Sequence, residues 1–190
     1  MSEKVIAQLC SPTLAALKTA GLFTVESKDH RSLTKEIANY NRKWERFDLH
    51  MMVLGYPKKE RALIYLFRPS YLEADLKDPI VLNLLRQKGY DTSNIWKSLT
   101  CLICHLKQEL TFPHEIGCFL GYPPEDIEGF IEGKKPCRYV GMWKVYSDVQ
   151  KSQKLFRVYD ACTKECLEKM EEGMSLDSFV RSSLFVSENG

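Results

Sequence analysis

The chain has 190 residues, 44% hydrophobic and 27% charged, with a formal net charge of +2. That length and apolar content suit a single compact domain over residues 1–190, large enough to fold without disulfide or metal staples. The small net charge argues against a polyanionic partner, and no run of about 18 apolar residues is present to cross a membrane.

The N-terminal MSEKVIAQLCSPTLAALK lacks a basic stretch ahead of a long apolar run, so no export signal is expected and the expected location is cytoplasmic. Seven cysteines, an odd number, fit reduced thiols in that compartment. From Pro12, with Ser11 as cap, the pattern predicts a helical turn and then a strand near Gly21–Val25. Leu33, Ile37, Tyr40, Trp44 and Phe47 recur every three or four residues in SLTKEIANYNRKWERFDLHMMVLGY, predicting an amphipathic helix that opens at Ser32. RALIYLF, bounded by PKKE and Pro69, reads as a strand.

PSYLEADL and DPIVLNLLRQKGY read as two short helices, the second capped by Asp78 and stopped by Gly89. SNIWKSLTCLICHLKQEL predicts a longer helix and RYVGMWKVYSD a strand rich in β-branched and aromatic residues. A long helix over about 147–172 is ended by Gly173, and a last short helix is capped by Ser175. The expected fold class is α+β: a helix-dominated single domain with a small sheet of three or four strands and a helix-turn-helix-like helical corner.

The corner is FPHEIGCFLGYPPEDIEGFIEG, residues 112–133. Ile116, Phe119 and Leu120 form one apolar face, and Ile127, Phe130 and Ile131 repeat it eleven residues later. Gly121 ends the first helix and PPED starts the second, where proline wastes no N–H and acids favour the positive end of the dipole. The spacing resembles a helix-turn-helix, with Gly117 where two helices cross closely. Charge argues against DNA reading, because the second helix carries Glu125, Asp126, Glu128 and Glu132, which phosphates repel. The carboxylates are expected to face water, leaving Tyr122, Glu125, Asp126 and Glu128 as candidates to meet a protein partner.

Chemistry-bearing residues cluster nearby. His114 and Glu115 are the candidate catalytic pair, as general base and acid. Cys101, Cys104, His114 and Cys118 have zinc-type spacing, against which stand their regular-helix setting and the readiness of cytoplasmic cysteines to be simply buried. CLICH has the spacing of haem attachment, but that chemistry belongs outside the cytoplasm, so no cofactor is expected. Cys162 and Cys166 continue the stripe of Leu155, Tyr159 and Met170 and are expected in the core.

FPHEIGCFLGYPPEDIEGFI followed by GMWKVYSD resembles a bacterial family, domain of unknown function 3793. CSPTLAALKTAGLF resembles its opening, and Phe156, Tyr159, Asp160 and Cys162 fit its C-terminal part. The resemblance covers nearly the whole chain and brings no mechanism with it. It places Lys18, His114, Glu115, Lys144 and Tyr146 inside signature segments, with Lys18, Lys144 and Tyr146 as candidates for ligand binding. Cys101 and Cys104 lie outside the pattern, which weakens a family-wide metal site. The expected function is a non-enzymatic binding or accessory protein whose partner is a protein or a small anionic ligand. The alternatives are a small enzyme using His114 and Glu115 on an anionic molecule, and a zinc-binding protein.

Overall fold

A computed structural model describes residues 1–108 and 112–187, the last four of these by backbone only. Helices dominate, with a three-stranded sheet and a two-stranded hairpin, in keeping with a helix-dominated α+β chain. The chain falls into two compact units, Met1–Pro69 with Tyr159–Gly190, and Ser70–Val158.

In the first unit, α1 spans Glu3–Leu14, with Glu3 at the positive end of its dipole. The helix predicted to start at Pro12 therefore starts nine residues earlier, and Pro12 lies in its last turn. The reason is the face of Ile6, Cys10 and Leu14, four residues apart, with Ala7 beside it, all of them buried. Strand β1 follows at Ala20–Glu26. Helix α2 spans His30–Trp44, capped by Asp29, whose carboxylate accepts from Arg31 N at 2.9 Å.

The predicted helix ends sooner than its periodicity suggests. A single tight turn over Glu45–Phe47 is closed by Asp48 in the left-handed conformation, φ 53°. The chain then enters β2, His50–Lys58, an element that the helical reading had absorbed. Strand β3, Arg61–Phe67, coincides with the predicted RALIYLF.

The sheet order is β1-β3-β2, antiparallel throughout, with Ala20 and His50 both opposite Phe67. Ala62 to Phe67 is buried on both faces of the central strand, which explains its unbroken apolar run. Ala62, Ile64 and Leu66 share a core with α1, with Leu33, Ile37 and Trp44 of α2, and with Cys162 and Cys166. The two cysteines are thus core residues, as the stripe predicted.

Two polar side chains organise this unit. The buried guanidinium of Arg68 donates to the carbonyls of Thr13, Leu14 and Phe47 at 2.7–2.8 Å, closing the end of α1. Asn41, in the last turn of α2, bonds both backbone groups of Met51. Its Nδ2 donates to Met51 O at 2.9 Å and its Oδ1 accepts from Met51 N at 2.7 Å.

The second unit begins at Ser70, inside α3 (Pro69–Asp75), and continues with α4, Pro79–Gln87. Asp78 caps α4 as expected, accepting from Ile80 N and Val81 N. Helix α5 spans Ile95–Gln108, and the predicted continuation to Leu110 lies outside the described residues. Helix α6 is one turn, Ile116–Phe119, and α7 spans Pro124–Glu132. The predicted strand RYVGMWKVYSD is a short hairpin, β4 (Tyr139–Val140) against β5 (Lys144–Val145). Its centre is the turn through Gly141, where a single extended strand was expected. The core of this unit includes Leu72, Leu85, Leu99, Leu102, Phe119 and Val145.

Helix α8, Val149–Glu171, belongs to the second unit up to Val158 and to the first beyond it. Helix α9, Leu176–Ser187, starts where Ser175 Oγ accepts from Ser178 N at 3.2 Å.

Candidate functional site

Helices α6 and α7 with the β4–β5 hairpin build a pocket of about 270 Å³ in the second unit. Its walls are mainly apolar: Ile116, Ile127, Phe130, Met142 and Trp143. His114 and Lys144 also line it. Gly117 makes room, because a Cβ there would lie 3.2 Å from both Ile127 and the ring of Tyr122. That close approach is the helix crossing the sequence predicted at Gly117.

Asp126 holds the pocket together. It lies on α7 and is only 2% exposed. Its Oδ2 accepts the indole N–H of Trp143 at 2.9 Å. Its Oδ1 accepts Tyr146 N at 2.7 Å and Ser147 N at 2.8 Å. A buried carboxylate needs such donors, and here they come from the strand and turn that face it. The expectation that Asp126 faces water or a partner is therefore corrected. Three N–H groups some twenty residues downstream draw it inward, while Glu125 and Glu128 on the same helix stay exposed.

The aromatic side chains interlock. Tyr122 stacks on Trp143 with centroids 4.7 Å apart, and Phe156 meets Trp143 edge to face at 4.5 Å. Burial pushes the Tyr122 hydroxyl above its ordinary pKa, so it stays neutral. Tyr146 lies across Gly129, where a Cβ would come within 2.6 Å of its ring. Tyr146 thus locks the hairpin onto α7. It borders a separate recess of about 180 Å³ with Glu125, Glu128 and Lys135.

Phe130 was expected in the shared core of the corner, with Ile127. Ile127 and Phe119 are buried there, but Phe130 is 36% exposed at the pocket. Helix α6 is too short to cover it. The ring is instead approached by His114, edge to face at 5.0 Å, and by the ammonium of Lys144 at 5.3 Å from its centre.

His114 and Glu115 go different ways. His114 is exposed and faces the pocket, whereas Glu115 is 2% exposed and turns inward. Its Oε1 accepts from Tyr90 Oη at 2.9 Å and lies 3.1 Å from Nδ1 of His105. Burial pushes the Glu115 pKa up, but hydrogen bonds from the backbone, His105 and Tyr90 outweigh it and hold the carboxyl below its ordinary value. The acid–base pair read from adjacent residues is thus divided between two places. His105 was missed as a partner because it stands ten residues upstream, on α5. Its presence beside two cysteines in CLICH drew attention to metal chemistry instead.

The zinc-type set is not assembled either. Cys118 is buried, its thiol pushed up to about 12 by burial and the charge of Glu115, whereas Cys104 is exposed. Among the described residues, no group of three or more His, Cys, Asp or Glu side chains is placed to hold a metal ion. Lys18 belongs to the first unit, where burial pulls its pKa down and its ammonium lies 6.0 Å from the ring centre of Tyr159. Of the polar candidates, His114 and Lys144 are the two that share the pocket with Tyr122 and Asp126.

Among the described residues, no helix is long and apolar enough to cross a membrane. A family model described as a protein of unknown function, DUF3793, matches residues 6–180. Neither a curated protein nor a solved structure matches the chain.

Proposed function

The chain belongs to the DUF3793 family of proteins of unknown function, and on that premise we propose that it is a non-enzymatic binding protein of the bacterial cytoplasm. It takes a small, largely apolar molecule into the pocket formed by α6, α7 and the β4–β5 hairpin. The observation that carries this reading is the pocket itself. A recess of about 270 Å³, with an aromatic wall braced by Asp126 and a few polar groups on its lining, is the usual form of a small-molecule site. The helical corner serves as one wall of it. The acids Glu125, Glu128 and Glu132 on the outer side of α7 speak against a DNA-reading use of the same corner. Seven free cysteines support a reducing compartment.

The test is a titration with small apolar probes, such as indole and phenol, followed through the indole N–H resonance of Trp143. Saturable shifts at Trp143 and its pocket neighbours are expected. They should vanish in Met142→Trp, which fills the recess from an exposed position. Flat titrations, or shifts that persist in the filled variant, would overturn the reading.

A further inference from the structure

The binding reading above leaves the chemical class of the ligand open, and the geometry around Phe130 narrows it. Two groups able to hold a proton, the Lys144 ammonium and the His114 imidazole, converge on one ring, at 5.3 and 5.0 Å from its centre. Among the described residues, Lys144 has no carboxylate within ion-pair distance. Its ammonium lies instead over the face of the partly exposed Phe130, a weak substitute for an anion in hydrogen-bond contact. The Asp126 carboxylate borders the same space, but its two oxygens accept from Trp143 Nε1, Tyr146 N and Ser147 N. It has donors enough and needs no ligand cation. Trp143 and Tyr122 stack on each other, so the arrangement is not an open aromatic cage for an ammonium ligand.

We propose that the pocket takes a small monocarboxylate with a compact apolar body. The carboxylate sits at the mouth between Lys144 and His114, and the body lies against Trp143 and Ile127. This rests on the binding reading. The volume sets the size of the body: cavities of about 150 Å³ accept benzene, so about 270 Å³ suits one ring with a short chain. When the carboxylate arrives, Lys144 exchanges the ring face for a full charge.

Three probes with one body separate the outcomes: phenylpropanoate, phenylpropanamide and phenylpropylammonium, each titrated against the whole chain by calorimetry and by the Trp143 indole resonance. The carboxylate should bind about tenfold tighter than the amide, as one charge-assisted contact gives, and the ammonium should bind weakest. Lys144→Met should erase the preference for the carboxylate over the amide, and Lys144→Arg should retain it. Lys144 is exposed, so these variants are expected to fold, and circular dichroism checks that they do. Equal binding of carboxylate and amide overturns the charge assignment but leaves the pocket reading standing. Tighter binding of the ammonium, or a preference that survives Lys144→Met, does the same. Failure of all three probes overturns both.

Discussion

The Asp126 carboxylate accepts the indole N–H of Trp143 at 2.9 Å, and that bond joins the acidic helix α7 to the hairpin that faces it. The same carboxylate receives two backbone N–H groups at the exit from β5. One side chain thus braces the pocket wall and fixes where the hairpin lies.

Removing it should be expensive. Asp126→Ala leaves three donors without their acceptor and is expected to cost about 2–4 kcal/mol. Glu128→Gln, two residues along the same helix and exposed, should stay within about 0.5 kcal/mol. Urea unfolding of both variants decides it, and equal costs would contradict the inward orientation of Asp126.

Packing of the corner gives a second expectation. Phe119 has no exposed surface and touches the ring of Tyr90 at 5.6 Å between centroids. Phe119→Ala should cost about 3–5 kcal/mol. Phe130→Ala should cost markedly less, because that ring is partly exposed at the pocket mouth. The comparison is again read from denaturation midpoints.

Glu115 makes stability depend on acid. Its folded pKa lies below the ordinary value of 4.5, because hydrogen bonds from the backbone, His105 and Tyr90 overcome the opposing effect of burial. Its stabilising contribution is therefore complete above that ordinary value and is lost as pH falls through the lower folded one. Glu115→Gln should be less stable than the parent near neutral pH, and the gap should close as the solution is acidified below about 4.5. Thermal unfolding across that range measures it, and a gap independent of pH would contradict the assignment.

Thiol labelling should follow burial. Cys104 is exposed and should react first with an alkylating reagent. Burial pushes the thiols of Cys10 and Cys118 up to about 12 and that of Cys162 to about 11, so they remain protonated and shielded at neutral pH. Mass spectrometry of briefly labelled native protein gives the order, and early modification of Cys118 would contradict its placement.

Arg68 offers a test in the other unit. Its guanidinium satisfies carbonyls of Thr13, Leu14 and Phe47 in a buried setting. Arg68→Met should cost about 3 kcal/mol or more, because those acceptors then lie buried without it. A melting temperature near that of the parent would speak against this.

Much of the fold was legible because local signals agreed with tertiary demands. RALIYLF became the central strand since both faces of β3 are buried, and Asp78 capped α4 because its side chain reaches two orphan N–H groups. The failures have physical causes. The helical period of Leu33 to Phe47 runs without a break into the apolar residues of β2, and the boundary is Asp48, a residue whose left-handed backbone leaves no mark in composition. At the site, Gly117 and the buried Ile127 were readable from spacing, whereas Phe130, expected beside Ile127 in the core, lies partly exposed at the pocket. Asp126 was not readable, since its partners lie 17 to 21 residues away and its neighbours on α7 are solvated acids. His114 and Lys144 were each picked out, but only the hairpin turn at Gly141, read as straight strand, brings them to one ring.

The grip of Asn41 on Met51 has a bearing on self-association. Strand β2 borders the sheet, and a border strand with open amide groups invites a stray segment to zip onto it. Here an amide side chain from a neighbouring helix imitates one residue of such a segment and fills both positions at Met51. An intruding chain would first have to evict it, so the protein carries its own stopper against sheet growth at that margin.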